Sequence, residues 1–133
     1  MEAAEIKKIL ENCKTIAVVG CSSNPEKAAN QIPKYMKESG YKIIPVNPNS
    51  ENILNEKTYK SPSEIKENVD IVDIFRPSDE CLNAVNEAIK IKPKVIWMQS
   101  GIINEEAKKL AEKNGIKVVM DKCIMAEHKR LMQ

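Results

Sequence analysis

The sequence is thin in several residue types that would point to particular functions. Only one tryptophan, one phenylalanine and three tyrosines occur among 133 residues, too few for the base-stacking platforms of a single-strand nucleic-acid binder. Charge of one sign is also missing. Lysines and arginines number 21 against 19 acidic residues, and the basic ones are scattered, so a nucleic-acid partner is not implied. No apolar run approaches the roughly 20 residues that span a bilayer. The stretch Met1 to Leu10 mixes Glu and Lys with its apolar residues and lacks a signal peptide's apolar core, which gives a cytoplasmic expectation. The four cysteines, Cys13, Cys21, Cys81 and Cys123, form no C-x-x-C pair, metal-ligand spacing is absent, and free thiols are the default. His128 is the only histidine and reads as a surface or packing residue.

What remains is an ordinary globular composition, 42% apolar and 30% charged, long enough for one domain over residues 1–133 with a core of its own. The organising stretch is Lys14 to Lys27. A β-branched run, Thr15 to Val19, stops at Gly20 and is followed by Cys21-Ser22-Ser23-Asn24-Pro25 and then a helical pattern. This is the signature of a buried strand turning into a helix, whose free N–H groups and partial positive charge suit a phosphate.

The rest of the chain alternates in the same way. Ile6, Ile9, Leu10 and Cys13 share one face of an amphipathic helix over Glu2 to Cys13. A helix from Glu26 to Ser39 contains Pro33, which predicts a kink or a late start. Tyr41 to Pro48 reads as a strand, short or at an edge because Pro45 cannot donate to a ladder. Asn49 to Lys60 is the longest irregular connection, with an extended piece at Lys57 to Tyr59. Ser61 caps a short helix, Val69 to Phe75 is a strand, and Ser78 or Asp79 caps the next helix. Lys94 to Met98, a helix opened by Asn104, Ile116 to Met120 and a terminal helix from Ile124 to Met132 complete the order.

Such alternation predicts an α/β domain with a mostly parallel sheet of five or six strands and helices on both faces. Right-handed crossovers put the strand-to-helix turns on one edge of the sheet, and ligands bind there, where strand order reverses beside the first strand.

The turns are more specific about which ligand. The first departs from the dinucleotide fingerprint G-x-G-x-x-G, and the second strand ends in Asn47-Pro48-Asn49, without the carboxylate that accepts from NAD ribose hydroxyls. Ser22, Ser23 and Lys27 supply hydroxyls and a cation for a phosphate, although the same residues are also the vocabulary of a capping turn. Arg76, in Phe75-Arg76-Pro77, can fork onto phosphate, stack on a base, or pair with Asp79 or Glu80. Gln99-Ser100-Gly101 brings an amide, a hydroxyl and an approachable backbone, or is simply a tight loop. Cys21 sits where a helix N-terminus can lower a thiol pKa, yet no general base accompanies it, so it reads as a small packing residue. Asp70 and Asp73 fall on opposite faces of their strand and form no acid–base pair.

Together the motifs Val19 to Pro25, Val46-Asn47-Pro48, Val69 to Pro77, Val95 to Gly101, Val118 to Ile124 and Glu127-His128 resemble, over about residues 12 to 131, the small single-domain CoA-binding proteins. These are similar to the nucleotide-binding domain of the succinyl-CoA synthetase α subunit. The resemblance implies a Rossmann-like three-layer fold that binds coenzyme A or an acyl-CoA without catalytic machinery of its own. It implies phosphate contacts from Gly20, Cys21, Ser22, Ser23 and Lys27, and adenosine near Asn47 and Pro48. Phe75, Arg76 and Pro77 would border the other side, and Gln99 and Gly101 the pantetheine path. The ligases' phosphohistidine loop has no counterpart here, so their reaction is not carried over. Two alternatives stay open: an NAD(P)-binding redox-sensing regulator in which Lys27 and Arg76 recognise a 2′-phosphate, and a thiol-dependent acyl-CoA enzyme using Cys21 or Cys123. An edge strand or the first helix could pair with another copy or a partner protein.

Overall fold

A computed structural model describes residues 1–132. Its order is α1 (Ala3–Asn12), β1 (Thr15–Val19), α2 (Ala28–Glu38), β2 (Lys42–Val46), β3 (Asn52–Ile53), β4 (Glu56–Lys57), β5 (Ile71–Ile74), α3 (Cys81–Ile89), β6 (Val95–Met98), α4 (Glu105–Lys113), β7 (Lys117–Val119) and α5 (Ile124–Met132). The main sheet has five parallel strands in the order β2-β1-β5-β6-β7. Ile16 is paired with Ile43 on one side and Ile71 on the other, and Ile71 with Val95. The chain therefore leaves β1 in one direction for β2 and returns on its opposite side as β5, which makes the β1–β5 border the switch point.

Alternation along the strands sorts the core into two layers. Ile16, Val18, Ile43, Ile71 and Trp97 face Ile6 and Leu10 of α1, Ile32 and Met36 of α2 and Ile124 of α5. Ala17, Val19, Val72, Ile74, Ile96 and Met98 face Val85 and Ala88 of α3 and Ala107 and Ala111 of α4. Three layers, helix–sheet–helix, result. This is the Rossmann-like arrangement that the sequence predicts.

Pro45 lies in an edge strand, as its missing N–H requires; α2 starts late, at Ala28, yet still carries Pro33 in its interior. The stretch after β2 departs from the expected irregular connection. It is a hairpin, β3–β4, whose two turn residues, Leu54 and Asn55, have φ of 55° and 63°. Such a turn favours glycine, and its absence hid the hairpin. Beyond it the chain rejoins the sheet: Tyr59 N–H donates to Pro45 C=O at 3.0 Å and Tyr59 C=O accepts Asn47 N–H at 2.9 Å. Ser61 caps its short helix as expected, accepting Ser63 N–H. Neither Ser78 nor Asp79 caps α3. A 3₁₀ turn over Ser78–Glu80 leads into that helix, and the Ser78 hydroxyl accepts Ile103 N–H at 3.0 Å instead. Asn104 does cap α4, accepting Ala107 N–H at 2.9 Å.

Candidate functional site

A cleft of about 650 Å³ opens at the carboxyl end of β1 and β2, on the α3 side of the switch point. Its floor is Val19, Gly20, Cys21, Ser22 and Val46. One wall is Asn47, Pro48, Asn49, Lys60, Ser61 and Pro62, and the other is Arg76 with Asp79 and Glu80 of the 3₁₀ turn and Asn83, Ala84 and Glu87 of α3. Six of the twelve residues expected from sequence therefore converge: Gly20, Cys21, Ser22, Asn47, Pro48 and Arg76.

The floor can form only because position 20 is glycine. Gly20 has φ +83°, and a Cβ built on it would lie 2.4 Å from Phe75 C=O and 3.0 Å from Arg76 Cδ. β1 and the β5 turn thus approach through a gap that no side chain fits. Gly20 N–H donates to Val46 C=O at 3.1 Å, which joins β2 to the same floor.

The turn itself is pinned from behind. Pro33 has no N–H for the Ala29 carbonyl four residues earlier, and Ser22 N–H fills that place at 3.0 Å. Asn30, buried in the first turn of α2, donates to Ser22 C=O at 2.8 Å. Asn24 N–H goes to the Ser22 hydroxyl and Glu26 N–H to the Asn24 side chain. The amides of Cys21, Ser23, Ala28 and Ala29 have no acceptor among the described residues. Of these only Cys21 lines the cleft, where an open amide near a helix N-terminus is a donor on which an anion can replace water.

Arg76 is exposed, and its guanidinium lies 3.3 Å from Glu80. Of the readings the sequence leaves open for Arg76, the ion pair with Glu80 is formed, with the arginine's aliphatic stem close over Gly20. An exposed pair of this kind contributes about 0–1 kcal/mol, so an incoming phosphate can displace Glu80 at little cost.

The other six candidates are placed differently. Ser23 and Lys27 are exposed and lie outside the cleft lining, as does Pro77. Phe75 is half-buried against the α1/α2/α5 core layer. Gly101 is exposed, and its N–H donates to the Asp121 side chain at 2.7 Å. Gln99 is 4% exposed: its Nε2 donates to Asp73 Oδ1 at 2.5 Å and its Oε1 accepts Ile124 N–H at 3.4 Å. Gln99 thus links β5 to the start of α5.

Asp73 is fully buried, and desolvation outweighs the Gln99 hydrogen bond, pushing its carboxyl up to about 8. Burial, with the Asp73 charge adding to it, also pushes the Cys21 thiol up to about 12. Cys21 therefore stays protonated at neutral pH, the reverse of what a reactive thiol at a helix N-terminus needs. Asp70, at the other end of β5, behaves oppositely. Burial raises its pKa, but the N–H groups of Lys14 and Thr15 and the Lys94 ammonium outweigh it, and the net shift is downward. His128 is buried, its Nδ1 2.7 Å from the Tyr35 hydroxyl and its ring edge-on to Tyr35 and Tyr41, in keeping with a packing role.

Sequence reasoning missed Asn49, Lys60 to Pro62 and the α3 wall. Lys60 to Pro62 reach the cleft through the concealed hairpin. The α3 residues were overlooked because Glu80, Asn83 and Glu87 recur at helical spacing on a face that reads as solvated.

Comparison with known proteins bears on what fills this cleft. A sequence model of the CoA binding domain matches residues 14–129. The chain is 41% identical over 125 residues to the uncharacterized protein YneT of Bacillus subtilis strain 168, covering 94% of this chain and 93% of that one. It is 32% identical over 124 residues to the α subunit of the ADP-forming acetate–CoA ligase II of Pyrococcus furiosus, covering 85% of this chain but 27% of the subunit. Among solved structures, a hypothetical protein from Pyrococcus horikoshii OT3 superposes with a TM-score of 0.97 at 39% identity, over 100% of this chain and 94% of that one.

Proposed function

Since the chain belongs to the CoA binding domain family, we propose that it binds coenzyme A or an acyl-CoA in the switch-point cleft. The observation that carries this reading is the open Cys21 amide and the Ser22 hydroxyl on the cleft floor across from Arg76, with no carboxylate at the end of β2. An anionic diphosphate is favoured there, and the ribose acceptor of an NAD site is missing.

In this reading the Cys21 N–H and the Ser22 hydroxyl hold the phosphates over the floor that Gly20 keeps clear, with Ser23 and Lys27 at the rim. Arg76 turns from Glu80 to the diphosphate, while Phe75 and Pro77 fix the turn that carries it. Asn47 and Pro48 lie beside the adenosine. The pantetheine arm runs past Gly101, and Gln99 supports that path from below by holding Asp73. The role proposed is binding; the ligase reaction of the archaeal relatives lies outside it.

Titration calorimetry with CoA, NAD and ATP tests the proposal, alongside mass spectrometry of any ligand released from the purified protein. CoA at 100 times its Kd should stabilise the fold by about 2.7 kcal/mol. Heat and a melting shift with NAD but none with CoA would overturn the reading.

A further inference from the structure

Asn47 stands at the end of β2, where dinucleotide-binding folds place the side chain that reads a ribose. Here both of its polar atoms are engaged inside the protein. Nδ2 donates to Cys21 C=O at 2.8 Å, and Oδ1 accepts Asn49 N–H at 2.7 Å. The position therefore braces the phosphate turn, and reading the ribose falls to a neighbour.

That neighbour comes from later in the chain. The parallel bridge between Val46 and Tyr59, with Asn47 N–H donating to Tyr59 C=O, sets Lys60 level with Asn47 on the outer side of β2. Lys60 lines the cleft, is exposed, and has no ion-pair partner among the described residues. Arg76, across the cleft, is by contrast held by Glu80. The hydroxyl of Ser61, next to Lys60, is turned to Ser63. A carboxylate at this level would accept from two ribose hydroxyls. An ammonium accepts nothing and attracts an anion.

We infer that Lys60 reads a phosphorylated ribose, separating such a ligand from its counterpart with free ribose hydroxyls. The inference rests on the CoA reading of the cleft, in which the ribose carries a 3′-phosphate. The 2′-phosphate of NADP has the same chemistry, and the experiment separates the two sources.

The full-length chain and its Lys60→Ala and Lys60→Arg variants are titrated with CoA, 3′-dephospho-CoA, NADP and NAD. The wild type should bind CoA about tenfold or more tightly than dephospho-CoA, the scale of one charge-assisted hydrogen bond. Lys60→Ala should bring that ratio to within about threefold of unity with dephospho-CoA affinity nearly unchanged, and Lys60→Arg should keep most of it. Because Lys60 is exposed, its truncation leaves the core intact. Equal binding of CoA and dephospho-CoA by the wild type, or a preference that survives Lys60→Ala, overturns the inference and leaves the CoA reading standing. A preference for NADP over NAD that is lost in Lys60→Ala, without CoA binding, supports the role of Lys60 and overturns the CoA reading. No binding of any of the four overturns both.

Discussion

Ser22 completes a hydrogen bond that Pro33 leaves open: its N–H donates at 3.0 Å to the Ala29 carbonyl, which would otherwise accept from residue 33. A proline in mid-helix is thereby tied to the geometry of the first strand-to-helix turn. The flaw in α2 gives the turn its anchor. Replacing Pro33 by Ala supplies a competing N–H within the helix. The Ser22 amide should then exchange with solvent faster, by about tenfold if the competitor is worth 1.4 kcal/mol, as measured by native-state hydrogen exchange. Unchanged protection at Ser22 would mean that the carbonyl accommodates both donors and the anchor is not exclusive.

Gly20 is the position least able to change. A Cβ there meets a backbone oxygen at 2.4 Å, and φ +83° is already costly for any other residue. Gly20→Ala should lose at least about 2 kcal/mol in urea unfolding, from strain together with a forced separation of β1 and the β5 turn. A loss below about 0.5 kcal/mol would show that the two segments part freely.

Asp73 sets a pH dependence whose sign follows from its raised pKa, about 8 in the fold against 3.8 for an ordinary aspartate. Between these values the native state keeps a proton that the unfolded chain has released. The Asp73 contribution is therefore full below about pH 4, falls as pH rises through the interval, and levels off above about pH 8. Asp73→Asn cannot ionise and fits the same space. Unfolding free energies for both proteins from pH 5 to 9 should converge at the acid end and separate toward the alkaline end, with the variant more stable. Parallel curves would show that Asp73 is already ionised in the folded protein at pH 5.

The four thiols should separate by exposure. Cys13, Cys21 and Cys81 are buried, and burial raises the pKa of each, to about 11 for Cys13 and about 12 for Cys21. Cys123 is only partly buried. A disulfide reagent at neutral pH should label Cys123 first and the other three only on unfolding. Early labelling of Cys21 would show that the first strand-to-helix turn opens in the native state and would revive a thiol chemistry for it.

Where local chemistry decides the structure, the sequence is easily read. The apolar runs Thr15 to Val19 and Lys94 to Met98 read as buried strands and are so, and α5 has the expected bounds, Ile124 to Met132. Pro45 announces an edge for a reason internal to the residue. Where a side chain answers to a distant partner, legibility fails. Ser78 looks like a cap, but Ile103 claims its hydroxyl from 25 residues away. Gln99 gives no sign in the sequence that buried Asp73 takes its amide. Lys60 gives no signal, because its place in the cleft depends on a hairpin turn built from Leu54 and Asn55. The first turn was legible as a turn, while the anchor of its Ser22 amide depends on Pro33, eleven residues further on.

The pairing of Tyr59 on both sides of Pro45 has a consequence for how these molecules behave toward one another. A sheet border with a long row of open amides templates aggregation. In this fold β2 presents a proline and is sealed at its carboxyl end by Tyr59. The opposite border, β7, is three residues long and begins with an exposed lysine, Lys117. Both borders are poor templates, so crowding should not drive these sheets to stack edge to edge.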